Sequence, residues 1–233
     1  DFLYNGYSGR QMYSFKQYLS ESKNTHLEHL EDEIINNGYE GGINAVEFLK
    51  SLRNMLTGSS RRKLNVSVKW DGAPAVFCGI NPENGRFFVG SKSVFNVTPK
   101  INYTQSDISR NHGGGLAKKL SICLKELPKL NINGVVQGDL LFTPGDIKSV
   151  SIRGEDAIAF TPNTITYAVP ENTDLARRIK RAKLGIIFHT SYTGKKMSNL
   201  KAGFGVNVNR FTKTPSVFFD DASYKDSSGV ATF

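Results

Sequence analysis

Cysteine is scarce in this chain: two residues in 233, Cys78 and Cys123. Two thiols cannot build a disulfide framework or a Cys-rich zinc centre. Both sit among apolar residues and read as small core side chains. A reducing cytoplasm is the expected compartment, that of the host if the source is viral. No run of eighteen apolar residues occurs, so no transmembrane helix is expected, and no basic-then-apolar leader opens the chain. Proline (8) and glycine (22) are near ordinary usage, which excludes collagen-like and low-complexity chains. No Gly-x-x-x-x-Gly-Lys-Ser/Thr loop, Ser-His-Asp nucleophile elbow or Cys-His pair is present.

Charge is plentiful and uneven. Residues 1–60 hold 5 basic and 8 acidic residues, net −3. Residues 61–233 hold 25 and 13, net +12. The change falls at Gly58-Ser59-Ser60, a linker-like stretch. We therefore expect an N-terminal part, 1–60, and a basic body, 61–233. Such a body suits a polyanionic partner, a nucleic acid or a nucleotide.

Residues 1–11 show no clear pattern, and Met12 looks like a natural start. Thr25 and Glu28 have capping-box spacing for a helix over about 26–37, with Leu27, Leu30 and Ile34 as its stripe. Asn37-Gly38 ends it. Ala45, Phe48, Leu49, Leu52 and Met55 recur at helical spacing over about 44–56. The pair predicts a helical hairpin.

From Lys63 the period becomes strand-like. Strands are expected at 64–69, 75–80, 86–90, 135–142, 157–160, 164–169 and 184–189, and near 204–208 and 216–219. Helices are expected after Gly113-Gly114-Gly115, to about Leu127, and over 174–183. Antiparallel hairpins with a few helices make an α+β body.

The sharpest feature is Val66-Ser67-Val68-Lys69-Trp70-Asp71-Gly72-Ala73-Pro74, a strand running into Lys-x-Asp-Gly. This resembles the nucleophile motif of the covalent nucleotidyltransferases: ATP- and NAD-dependent DNA ligases, RNA ligases and mRNA capping enzymes. Two later stretches resemble further motifs of that superfamily. In Gly90-Ser91-Lys92-Ser93 the lysine stands where arginine is usual, keeping charge without bidentate recognition. In Val135-Val136-Gln137-Gly138-Asp139-Leu140-Leu141, Asp139 replaces the usual glutamate.

The resemblance covers about residues 63–190. It implies an adenylation domain with two antiparallel sheets flanking a nucleotide cleft, after the helical hairpin. It implies ATP and Mg²⁺ as cofactors and a polynucleotide ligase-like activity. Lys69 would attack the α-phosphorus and form lysyl-AMP. Asp71 would orient Lys69 or a metal water, and Gly72 would let the backbone pass close to the nucleotide. Ser91 and Lys92 would contact phosphate, Asp139 a ribose or the metal, and Phe188 would stack on the base. RNA or DNA ends would be the partners of a monomer without membrane attachment.

The pattern departs from the family later on. Leu184-Gly185-Ile186-Ile187 has the rhythm of the fourth motif but no carboxylate, and Lys195, Lys196 and Lys201 lack the strand alternation of the fifth. No oligonucleotide-binding barrel is recognisable in the 164 residues after Lys69. Either the chain is cut short or the relative is divergent. A capping-type enzyme, a catalytically inactive nucleic-acid-binding relative and a virion structural protein are the alternatives. Residues 14–20 also resemble the starts of many proteins of large tailed phages.

Three weaker features complete the reading. Arg177, Arg178, Lys180, Arg181 and Lys183 make a basic helix that could track a nucleic-acid backbone or be a solvated face. His26 and His29, with Glu33 nearby, are read as a solvated helix face rather than a metal site. His112-Gly113-Gly114-Gly115 is read as a flexible loop rather than a phosphate cradle.

Overall fold

The computed structural model describes residues 30–57 and 68–223. The described residues fall into two compact units that part between Glu47 and Phe48. The expected linker at 58–60, most of the strand at 64–69, His26, His29 and the Thr25–Glu28 cap lie outside the described residues.

Helix α1 (Leu30–Leu56) is interrupted at Gly38, whose backbone is non-helical (φ 57°, ψ −129°). A straight helix would put Glu33 and Gly41 about 12 Å apart at 1.5 Å per residue. Instead, a Cβ on Gly41 would lie 1.9 Å from the Glu33 carbonyl oxygen. The Asn44 side-chain amide also donates to Glu33 Oε1 at 3.2 Å. The chain therefore folds back at Gly38, where a left-handed φ favours glycine. The expected turn is present, with little loop between the helical segments.

The larger unit contains two sheets. Strands β1 (Ala75–Ile80), β2 (Phe87–Gly90), β3 (Val135–Phe142), β7 (Leu184–Thr193), β8 (Lys201–Phe204) and β9 (Val217–Asp221) form the first, in the order β2-β1-β3-β7-β8. Strand β9 runs parallel to the first half of β7, so this sheet is mixed rather than purely antiparallel. Strands β4 (Lys148–Ile152), β5 (Glu155–Phe160) and β6 (Tyr167–Pro170) form an antiparallel second sheet. Helices α2 (Gln105–Asn111), α3 (Gly114–Glu126) and α4 (Asp174–Arg181) complete the α+β body. Among the described residues no helix is long and apolar enough to cross a membrane.

Alternation along the strands divides the first sheet's side chains. Val76, Cys78, Val136, Leu140, Leu184, Ile186 and Phe188 pack with Leu120, Cys123 and Leu127 from the α3 region. Two further clusters use other strand residues. Phe77, Phe88, Val135 and Tyr192 form one. Leu141, Phe142 and Ile187 pack with Ile158 and Phe160 of the second sheet and with Ala176 and Ile179 of α4. Along β3, Gln137 and Asp139 lie between the contributions to these two clusters, Val135 and Leu141.

Helix α2 and strand β4 were not expected. The α2 start is spelled in the sequence: the Thr104 hydroxyl accepts from Asp107 N, and Asp107 accepts from Thr104 N. Strand β4 escapes because one of its five residues is half-buried and the rest are exposed, leaving no apolar alternation to read.

Cys78 and Cys123 are buried free thiols, as the composition suggested. Burial pushes the Cys78 thiol well above its ordinary value and Cys123 up to about 12. Thiolate is the reactive form. A thiol reagent at pH 8 should therefore label neither cysteine in the folded protein and both in denaturant. Fast labelling of either in the folded protein would contradict this core.

Candidate functional site

The Lys69–Pro74 segment is held on three sides. Val68 N donates to Ala222 O at 2.7 Å, just beyond β9. Ala73 N donates to Leu140 O at 2.9 Å, and Leu140 N donates to Pro74 O at 3.1 Å, along β3. Trp70 packs on Tyr167 of β6, ring centroids 5.4 Å apart, and Asp71 N donates to the Tyr167 hydroxyl at 2.9 Å. The Ala73–Pro74 peptide is cis.

Asp71 makes the tightest of these connections, to the β5–β6 loop. Its Oδ1 accepts from Asn163 Nδ2 at 2.9 Å. Its Oδ2 accepts from Thr164 N at 2.6 Å, Thr164 Oγ1 at 2.8 Å and Ile165 N at 2.7 Å. These bonds, that from Asn163 foremost, hold the carboxyl well below the usual carboxylate range. The resemblance assigned Asp71 to orienting the nucleophile or a metal. In this structure one bond on Oδ1 and three on Oδ2 tie it to the loop.

Lys69 is exposed, and its amine has no ion-pair or hydrogen-bond partner among the described residues. Gly72 passes directly over β3: a Cβ there would lie 2.5 Å from Asp139 Cβ. Only glycine permits that approach without moving one of the chains. The first and third sequence motifs are therefore in contact.

Asp139 pairs across the sheet with Ala75 and Ile187. Strand β2 ends at Gly90, so the second motif leaves the sheet two strands from Asp139, with β1 between them. Lys92 is exposed. The Ser91 hydroxyl is 2.9 Å from that of Ser93 and caps the short helical turn at Lys92–Phe95.

Sequence reading missed His189. A bulge in β7 puts Thr190 opposite Gln137 and Phe188 opposite Gly138, leaving His189 as the extra residue. Its Nδ1 is 2.8 Å from Thr190 Oγ1. Its Nε2 lies 3.5 Å from Asp139 Oδ1, is buried and makes no hydrogen bond. Nearby, the buried Gln137 accepts from the Tyr192 hydroxyl at 2.7 Å. Histidine in an apolar strand signals such a site, but the bulge that turns it toward Asp139 leaves no mark on the sequence.

Phe188 requires a correction. It is fully buried, with its ring edge-on to Phe211 at 5.3 Å, in the cluster that contains α3 residues. It is core, and cannot offer a face to a base. His189 is the β7 side chain beside Asp139.

The basic helix also divides. Arg177 pairs with Asp174 at 2.5 Å, and Lys180 pairs with Glu171. Arg178 and Arg181 face a separate cavity. His112 turns to Asn102, 3.2 Å from Nε2 to Nδ2, and burial lowers its pKa. The glycines after it begin α3.

Among the described residues no group of three or more His, Cys, Asp or Glu could hold a metal alone. Magnesium commonly uses one or two carboxylates and completes its shell with substrate phosphates and water. Asp139, about a quarter exposed, fits that lesser requirement.

The family comparison matches residues 24–233. The chain belongs to DUF6267, a family of unknown function. No curated protein and no solved structure matches it.

The Asp71 clamp sets a pH dependence. A depressed folded-state pKa contributes stability above the unfolded value, near 3.8, and that contribution falls as pH drops toward the folded value. Asp71→Asn should lower the melting temperature at pH 7, and the gap to wild type should shrink below about pH 4. A gap unchanged down to pH 2.5 would contradict the clamp.

Proposed function

We propose that this chain is a polynucleotide ligase-like nucleotidyltransferase that bonds AMP to Lys69. The observation carrying this reading is the contact of Gly72 with Asp139. It joins the Lys-x-Asp-Gly loop to the Gly-Asp strand, two motifs 67 residues apart in sequence.

A lysine amine must be unprotonated to attack, and its ordinary pKa is near ~10.4. The Nζ lone pair would then form a bond to the α-phosphorus as the bond to pyrophosphate breaks. The nitrogen releases a proton to solvent, leaving a phosphoramidate. Fixing the loop at Val68, Asp71, Ala73 and Pro74 presents that amine without freezing it, which lowers the entropic cost of attack. Lys92 would add positive potential for the phosphates. Asp139 would hold magnesium, which supplies charge neutralisation on the transferring phosphate when bound. AMP would pass from Lys69 to a 5′-phosphate end, and a 3′-hydroxyl would displace it.

The second reading is a nucleic-acid-binding relative without catalysis. The occupied carboxylate of Asp71 favours it, as does the missing carboxylate in the Leu184–Ile187 strand.

One experiment separates them. Incubation with Mg²⁺ and α-labelled ATP or GTP, followed by a denaturing gel, should leave label on wild type. Lys69→Ala should lose it entirely, and Asp139→Asn should lose at least tenfold. An unlabelled wild-type band would overturn the enzyme reading.

A further inference from the structure

Helix α4, strand β9 and the segment leading into it line a half-open cavity of about 530 Å³. Its volume lies in the range of ligand pockets, about 300–1,000 Å³. Arg178, Arg181, Lys213, Asn209 and Phe218 line it, with Asp220 as its carboxylate. Three cations against one anion leave the lining net positive. Arg178, Arg181 and Lys213 are exposed and have no carboxylate partner among the described residues. Their neighbours on α4 differ: Arg177 and Lys180 are neutralised by Asp174 and Glu171. The unpaired charge of the helix therefore gathers on the face that looks into the cavity.

The cavity also has a flat element. The Arg178 guanidinium lies over the Phe218 ring, 5.4 Å from its centroid. Arg178 is exposed, and nucleic-acid bases stack on guanidinium planes. Arg181 lies three residues on from Arg178, within the same helical face. With Lys213 it can meet phosphate oxygens while a base covers Arg178. A bare phosphate would use the charges and leave the volume and the flat wall unused.

We propose that this cavity binds one nucleotide unit of a single-stranded polynucleotide, base on Arg178 and backbone phosphates on Arg181 and Lys213. A duplex hides its base faces in stacking, so the site selects single strands. Phe218 and Ala222 are four residues apart, about 13 Å of strand. Ala222 O accepts from Val68 N, next to Lys69. A strand seated in the cavity can thus lie along β9 toward the nucleophile loop. That last relation rests on the Lys69 reading, whereas the binding does not.

The test uses the full chain and a fluorescein-labelled twelve-nucleotide single strand, with anisotropy read across a salt series. The combined variant Arg178→Gln, Arg181→Gln, Lys213→Gln should bind at least tenfold more weakly. Every phosphate that is no longer neutralised lowers the log–log salt slope by about 0.7 for single strands, so the two phosphates on Arg181 and Lys213 predict a reduction of about 1.4. The control Arg177→Gln, Lys180→Gln removes two positive charges from the same helix and should stay within twofold of wild type. Melting temperatures of both variants establish that they fold.

Equal weakening in the control, equal affinity for a duplex of the same sequence, or no binding by wild type would overturn the proposal. So would displacement of the strand by free AMP at concentrations no higher than the unlabelled strand requires. Lys69→Ala should retain strand binding, and the cavity variant should retain self-labelling by ATP. Failure here is therefore distinguishable from failure of the lysyl-AMP reading.

Discussion

One carboxylate fixes the geometry of the candidate site. Asp71 accepts four hydrogen bonds from the β5–β6 loop, and its own amide donates to Tyr167 at the start of β6. It thereby ties the Lys69–Pro74 segment to the second sheet, while Ala73 and Pro74 tie the same segment to β3 in the first. Without that link the two sheets would still share the Phe142–Phe160 core, but the segment would keep only its ties at Val68, Ala73 and Pro74 and the Trp70–Tyr167 contact. Charge-assisted hydrogen bonds are the strong kind, and backbone amides in a formed loop supply them without further ordering.

What the clamp leaves unsatisfied is as informative as what it satisfies. Buried polar atoms are normally paired, yet His189 Nε2 makes no hydrogen bond and stands 3.5 Å from Asp139. The amines of Lys69 and Lys92 are likewise without partners among the described residues. The accessible groups are the partly exposed Asp139 carboxylate and the two amines, whereas His189 Nε2 is enclosed by protein.

Much of the fold was legible in the sequence because it rests on local signals. Strands β1 and β3 fall where their apolar runs begin and end. The start of α4 follows from residue type, Thr173 capping it and Asp174 opening its first turn. The first and third short motifs do meet, at Gly72 and Asp139, although 67 residues separate them. What failed depends on tertiary structure. Phe188 and His189 are neighbours in sequence, and only the β7 bulge decides which of them stands beside Asp139. Asp71 could be read as a chemical group because its partners, Asn163 to Ile165, lie more than ninety residues away in sequence. The parallel partner β9 and the ion pairs that remove Arg177 and Lys180 from the basic surface are equally invisible to a residue-by-residue reading.

The most direct measurement is a crystal structure of the full chain with magnesium and an ATP analogue whose α–β bridge is methylene, so that attack cannot proceed. The account predicts the α-phosphorus within attacking distance of Lys69 Nζ, the metal on Asp139, and the Asp71 carboxylate still bound to residues 163–165. Nucleotide bound elsewhere, or Asp71 released from that loop to reach the metal, would contradict it.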